Sequence, residues 1–140
     1  MLNNEIQNSG EPLLNSPNFK VSLTAEQTIP LGRLGTLAAR WDGAWTDDTN
    51  YDATQSKGVP NFDGNQFLPK GTIGQKAFWQ HNVRLGYRTP DTKVEIAGWV
   101  RNVTDKVYKT FAFDVSAFNG TTVYFLGEPR MYGLTLTTSF

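Results

Sequence analysis

The sequence predicts an all-β fold: an antiparallel meander of about five long strands, an incomplete piece of a transmembrane β-barrel. Three observations predict it. Apolar and polar residues alternate at period two in five segments, the pattern of strands with one apolar and one polar face. Tight turns and long loops alternate between those segments. Aromatic residues bracket the apolar faces at a spacing that suits a bilayer.

Residues 1–18 are polar, carry Pro12 and Pro17, and show no period; they read as a loop. The first strand spans 19–29, with Phe19, Val21, Leu23, Ala25 and Ile29 alternating with Lys20, Ser22, Thr24, Glu26 and Thr28. A short turn, 30–35, leads to the second strand, 37–45, whose apolar face is Leu37, Ala39, Trp41, Gly43 and Trp45. Residues 46–75 are rich in Asp, Asn, Gly, Pro and Thr, and structureless loops of that length are usually functional or mobile. The third strand, 79–87, sets Trp79, His81, Val83, Leu85 and Tyr87 on one face. Thr89, Pro90, Asp91 and Thr92 supply turn chemistry. The fourth strand is expected from Lys93 to about Tyr108, and 109–121 as another loop. The last strand alternates Tyr132, Leu134, Leu136 and Phe140 with Gly133, Thr135, Thr137 and Ser139. No helix is expected.

The connections sort the sheet's two ends. Both tight turns fall at one end and the long segments 1–18, 46–75 and 109–121 at the other, the asymmetry of transmembrane barrels. Trp79 and Tyr87 lie eight positions apart, as do Tyr132 and Phe140. Eight residues at ~3.3 Å each, tilted ~40°, cover roughly 20 Å of the bilayer normal. Within 19–29, 37–45, 79–87, 94–100 and 132–140, no Asp, Glu, Lys or Arg falls on the apolar face. A soluble sandwich would show the same parity, so charge placement leaves both architectures open. Five strands are too few to close a barrel, since the smallest single-chain examples have about eight.

Composition narrows function mainly by exclusion. Thirteen basic residues balance thirteen acidic ones, so there is no electrostatic footprint for nucleic acid. Cysteine is absent and His81 is the single histidine, which excludes thiolate sites and a histidine cluster. Asp47, Asp48, Asp52 and Asp63 lack the spacing and closing Glu of a calcium-binding EF-hand loop. No phosphate loop, dinucleotide fingerprint or catalytic constellation is present. The expectation is no enzyme, no cofactor and no metal. No apolar run approaches the ~20 residues of a membrane helix, and the opening residues lack a signal peptide's basic and apolar regions.

Two stretches carry a family resemblance. Asn102, Thr104, Asp105, Lys106 and Tyr108 form an Asn-x-Thr-Asp-Lys-x-Tyr run. Gly127, Pro129, Arg130, Tyr132 and Gly133 form a Gly-x-Pro-Arg-x-Tyr-Gly run, and the chain ends on Phe140. In this order and spacing they resemble the carboxyl end of TonB-dependent outer-membrane receptors; the stretch 14–20 is also similar to a recurring segment of that family. Val103 stands where Leu is commoner, and Thr138 where the assembly signal usually has a large apolar residue.

The resemblance implies that residues 1–140 are the carboxyl-terminal barrel segment of such a receptor, with 1–18 a truncated extracellular loop and 46–75 and 109–121 extracellular loops. It implies the bacterial outer membrane as location. The implied function is TonB-dependent uptake of a scarce ligand such as an iron-siderophore, cobalamin or a saccharide. Implied partners are membrane lipid, the remaining barrel and its plug domain, TonB through that plug, and the barrel-assembly machinery. Tyr132, Leu134, Leu136 and Phe140 would form the assembly signal. Arg40, Asp42, Arg84, Glu95 and Arg101 would line the lumen, while Trp45, Asp47, Asp48, Tyr51, Phe62 and Phe67 are candidates for ligand contact. Two other readings use the same strands: a soluble all-β ligand-binding module, and the terminal strands of a passive porin.

Overall fold

The computed structural model describes residues 13–52, 71–115 and 121–139. The chain is all-β, and no α-helix occurs among the described residues. It divides into two compact units, one a long-stranded sheet and the other assembled from the long connections.

The sheet unit contains β1 (Lys20–Pro30), β2 (Thr36–Thr46), β5 (Phe78–Arg88), β6 (Val94–Arg101) and β9 (Met131–Thr138). They lie in the order β1-β2-β5-β6-β9, an antiparallel meander. The sheet does not close: β1 and β9 are its two edges, as in an incomplete barrel. The turn between β1 and β2 winds as a single 3₁₀ turn, Gly32–Leu34. It is tied to β5 where the Tyr87 hydroxyl donates to the Leu34 carbonyl at 2.6 Å. In the β5–β6 turn, the Thr89 hydroxyl donates to Asp91 Oδ1 at 2.6 Å, and the same oxygen accepts the Lys93 N–H.

Register turns sequence parity into two chemically distinct faces. Across β1 and β2, Val21 pairs with Trp45, Leu23 with Gly43, Ala25 with Trp41 and Ile29 with Leu37. Across β5 and β6, Val83 pairs with Val100 and Tyr87 with Ile96. Across β6 and β9, Val100 pairs with Tyr132 and Ile96 with Leu136. These pairs line one face, because side chains alternate along each strand. The face is bare: Leu134 is 83% exposed, Leu136 66% and Leu85 58%. Among the described residues of this sheet Ala97 is the one buried apolar side chain, so in water the unit has almost no core. Burial of apolar area is the main driving term of folding, which leaves this face needing an apolar neighbour.

The loop unit is built from residues 13–19, 47–52, 71–78, 108–115 and 121–127. It holds two short antiparallel ladders, β3 (Thr49–Asn50) with β4 (Gly74–Gln75) and β7 (Lys109–Val115) with β8 (Thr121–Leu126). Ile73 and Ala112 are buried here. Phe111, Phe113 and Phe125 form an aromatic cluster with centroids 6.1–6.2 Å apart.

Two expectations need correction. The fourth strand ends at Arg101, not near Tyr108, because Asn102 takes a left-handed backbone, φ +49°. Residues 109–121 are not a plain loop; most belong to the β7–β8 hairpin. Its second strand, β8, and β9 lie in different sheets, separated by residues 127–130.

Candidate functional site

The polar face of the five-stranded sheet carries all of that sheet's charges, and neighbouring strands deliver them in complementary pairs. Glu26 faces Arg40 in the β1–β2 register, and Thr24 faces Asp42. Arg40 grips Asp42 through Nε and Nη2 at 2.8–3.0 Å, reaches Glu26 at 3.9 Å, and Asp42 also accepts the Thr24 hydroxyl at 2.8 Å. A second cluster sits on β5 and β6. Glu95 accepts Arg84 at 2.5 Å through one oxygen and Arg88 at 2.6 Å through the other. Such fork-shaped pairing fixes geometry as well as charge. Both clusters line one cavity of about 600 Å³ that also includes Asn82, Trp99 and Arg101. The five charges expected on this face, Arg40, Asp42, Arg84, Glu95 and Arg101, therefore do share one surface. Arg88 was missed because the third strand was bounded at Tyr87, and Trp99 because an aromatic on the charged face carries no sequence signal of its own.

Trp99 occupies this face because Gly133 lies opposite it on β9. The indole covers the glycine so closely that an added Cβ would sit 2.5 Å from the Trp99 ring. Arg101 in turn places its guanidinium over that indole, 5.3 Å from the ring centroid, a cation–π arrangement.

The Asn102–Tyr108 and Gly127–Gly133 runs are held against each other. Asn102 is 2% exposed. Its Nδ2 donates to the Lys106 and Glu128 carbonyls at 3.0 and 3.1 Å, and its Oδ1 accepts the Lys106 N–H at 2.9 Å. The Val103 N–H donates to the His81 carbonyl, one residue out of step with the β5–β6 register, so the strand ends in a bulge. Asp105, also left-handed, accepts the Arg130 N–H at 3.2 Å and faces its guanidinium at 3.7 Å. Within the loop unit the same closeness recurs: the Tyr108 ring leaves no room for a Cβ on Gly127, whose N–H donates to the Tyr108 carbonyl. Thr104 and Pro129 are exposed and make none of these contacts.

The proposed ligand-contact residues are placed differently. Trp45 is a β2 residue on the apolar sheet face, opposite Val21, not a loop residue. Asp47 and Asp48 spend their carboxylates on backbone N–H groups, Asp47 on that of Asp48 at 2.8 Å and Asp48 on that of Ala77 at 2.5 Å. Tyr51 donates its hydroxyl to the Lys109 carbonyl at 2.8 Å and packs on Phe111; burial raises its pKa. Burial lowers that of Lys109, although its ammonium reaches the Thr72 carbonyl and the Tyr124 ring. These residues hold the loop unit together. Phe62 and Phe67 lie outside the described residues, as does Phe140; Tyr132, Leu134 and Leu136 project from the exposed face of β9. Among the described residues no group of acidic or histidine side chains is arranged to hold a metal. Comparison of the chain with family models, with curated proteins and with solved structures finds no match in any of the three.

Proposed function

We propose that this chain is part of the wall of an outer-membrane β-barrel receptor of the TonB-dependent kind, with β1, β2, β5, β6 and β9 crossing the bilayer. The observation that carries the reading is the division of the sheet into a charge-free, exposed apolar face and a face holding every ionic group. In a barrel, Arg or Lys facing lipid at mid-bilayer costs ~2–4 kcal/mol, whereas the lumen solvates it. The open edges at β1 and β9 support the same reading, since unpaired edges are liabilities unless further strands cover them. The joined Asn102–Tyr108 and Gly127–Gly133 runs support the family assignment within that class. Both tight turns lie at one end of the sheet, which becomes the periplasmic end; the long connections leave the strands at the opposite end, which becomes the ligand-collecting side. The chain's part in uptake is to present the lumen wall and two long loops, while the plug and TonB supply gating and energy.

An antibody against residues 46–75, applied to fractionated cells, tests this. The reading expects an outer-membrane band several times heavier than the 15.6 kDa of this chain. A band of that smaller mass in the soluble fraction would overturn it.

A further inference from the structure

The cavity on the polar face contains more cation than its own carboxylates can use. Arg40 is taken by Asp42 and Glu26. Arg84 and Arg88 share Glu95, one on each oxygen. Arg101 remains: it is exposed and makes no ion pair or hydrogen bond with the described residues, its one partner being the Trp99 ring. A guanidinium resting on an indole is held flat while its N–H fork stays open, and that fork matches a carboxylate or phosphate. Asn82 lines the same cavity. Its Oδ1 is occupied by the Asn102 N–H, which leaves Nδ2, a second donor, without a partner among the described residues.

Position strengthens the point. Arg101 is the last residue of β6, at the end of the sheet from which the long connections leave. The fully paired Arg88–Glu95 cluster lies at the tight-turn end. A ligand arriving from the loop side therefore meets the open cation first. The cavity, about 600 Å³, falls within the ~300–1,000 Å³ range of small-molecule sites.

We infer that this cavity binds a small anionic ligand through a carboxylate or phosphate group, with Arg101 as the anion-binding residue and Asn82 as a second donor. The inference rests on the receptor reading and sharpens it, since it favours an acidic chelate over a neutral saccharide as cargo. Gly133 and Trp99 act as positioning residues: the glycine leaves room for the indole, and the indole orients the guanidinium.

The test is calorimetric titration of the whole chain, folded in detergent micelles, with citrate, inorganic phosphate and neutral maltose. Citrate or phosphate should bind more tightly than maltose and weaken as salt is added. Arg101→Gln should cut anion affinity by about tenfold or more, and Arg101→Lys should restore it only in part, because an ammonium lacks the planar fork. Comparing the two anions tells carboxylate from phosphate. Arg101 holds no other element in place, so its variants should keep the β-sheet circular dichroism of the parent. Equal binding of maltose and the anions, unchanged affinity in Arg101→Gln, or no anion binding by the folded chain would each overturn the inference. Because binding in micelles is independent of cellular location, a negative result here leaves the fractionation result standing, and the reverse also holds.

Discussion

Replacing Asn102 by alanine should be among the most damaging single changes in the sheet unit. The side chain makes three hydrogen bonds, two from Nδ2 and one to Oδ1, in a site that water barely reaches. At ~1 kcal/mol each, their loss amounts to about 3 kcal/mol. The backbone is left-handed, φ +49°, which Asn tolerates and Ala resists by ~1 kcal/mol. Asn102→Ala should thus cost about 4 kcal/mol. Asn102→Gly relieves the backbone part alone and should cost about 3 kcal/mol. Asn102→Asp keeps the acceptor for Lys106 but turns a carboxylate toward two carbonyl oxygens, so it should not rescue. Urea unfolding of the chain in micelles, followed by tryptophan fluorescence, measures the order; amide exchange at Lys106 reports the local break. An alanine variant within ~0.5 kcal/mol of the parent, the range of ordinary surface changes, would refute this account. So would a glycine variant less stable than the alanine one.

Other changes separate the two faces and the turn. Leu85→Arg, on the bare apolar face, should cost ~2–4 kcal/mol for folding into vesicles. Thr137→Arg, opposite Glu95 on the polar face, should change it by less than about 1 kcal/mol; similar costs for both would undo the face assignment. Gly133→Ala brings a Cβ to 2.5 Å from Trp99 and should destabilise by roughly 1–3 kcal/mol, as overpacking does, with a shifted Trp99 emission. Unaltered emission would mean that the indole does not lie over the glycine. The Thr89 hydroxyl, and then the Lys93 N–H, hold the Asp91 carboxyl below its ordinary pKa. A carboxylate of lowered folded pKa contributes stability that is complete above its unfolded value of ~4. That stability is lost as pH falls through the lower folded value. Amide exchange in the β5–β6 turn should therefore quicken in acid, and Asp91→Asn should flatten the dependence.

Period-two alternation made the five long strands and their two faces legible, because a pleated strand assigns each side chain to a face by parity alone. The register preserved that assignment across β1–β2, β5–β6 and β6–β9, from Val21 with Trp45 to Val100 with Tyr132. The β7–β8 hairpin was hidden although Phe111, Phe113 and Val115 alternate too. A run so short gives a weak signal. Asn102 was visible as a motif residue, but nothing in its type told that it is buried and left-handed. The cavity side was half legible. Arg40, Asp42, Arg84, Glu95 and Arg101 followed from parity, whereas which cation lacks a carboxylate depends on side-chain reach. The acidic residues at 47 and 48 resembled ligand groups, yet they satisfy loop backbone, a common use of Asp.

The face assignment is the central claim, and the four tryptophans divide on it. Trp41, Trp45 and Trp79 lie on the apolar face and Trp99 on the charged one. Single-tryptophan versions of the chain, inserted in vesicles containing brominated lipid, report directly on contact with acyl chains. The account predicts strong quenching at 41, 45 and 79 and little at 99. Quenching of Trp99 as strong as the others, or of none of the four, would contradict it.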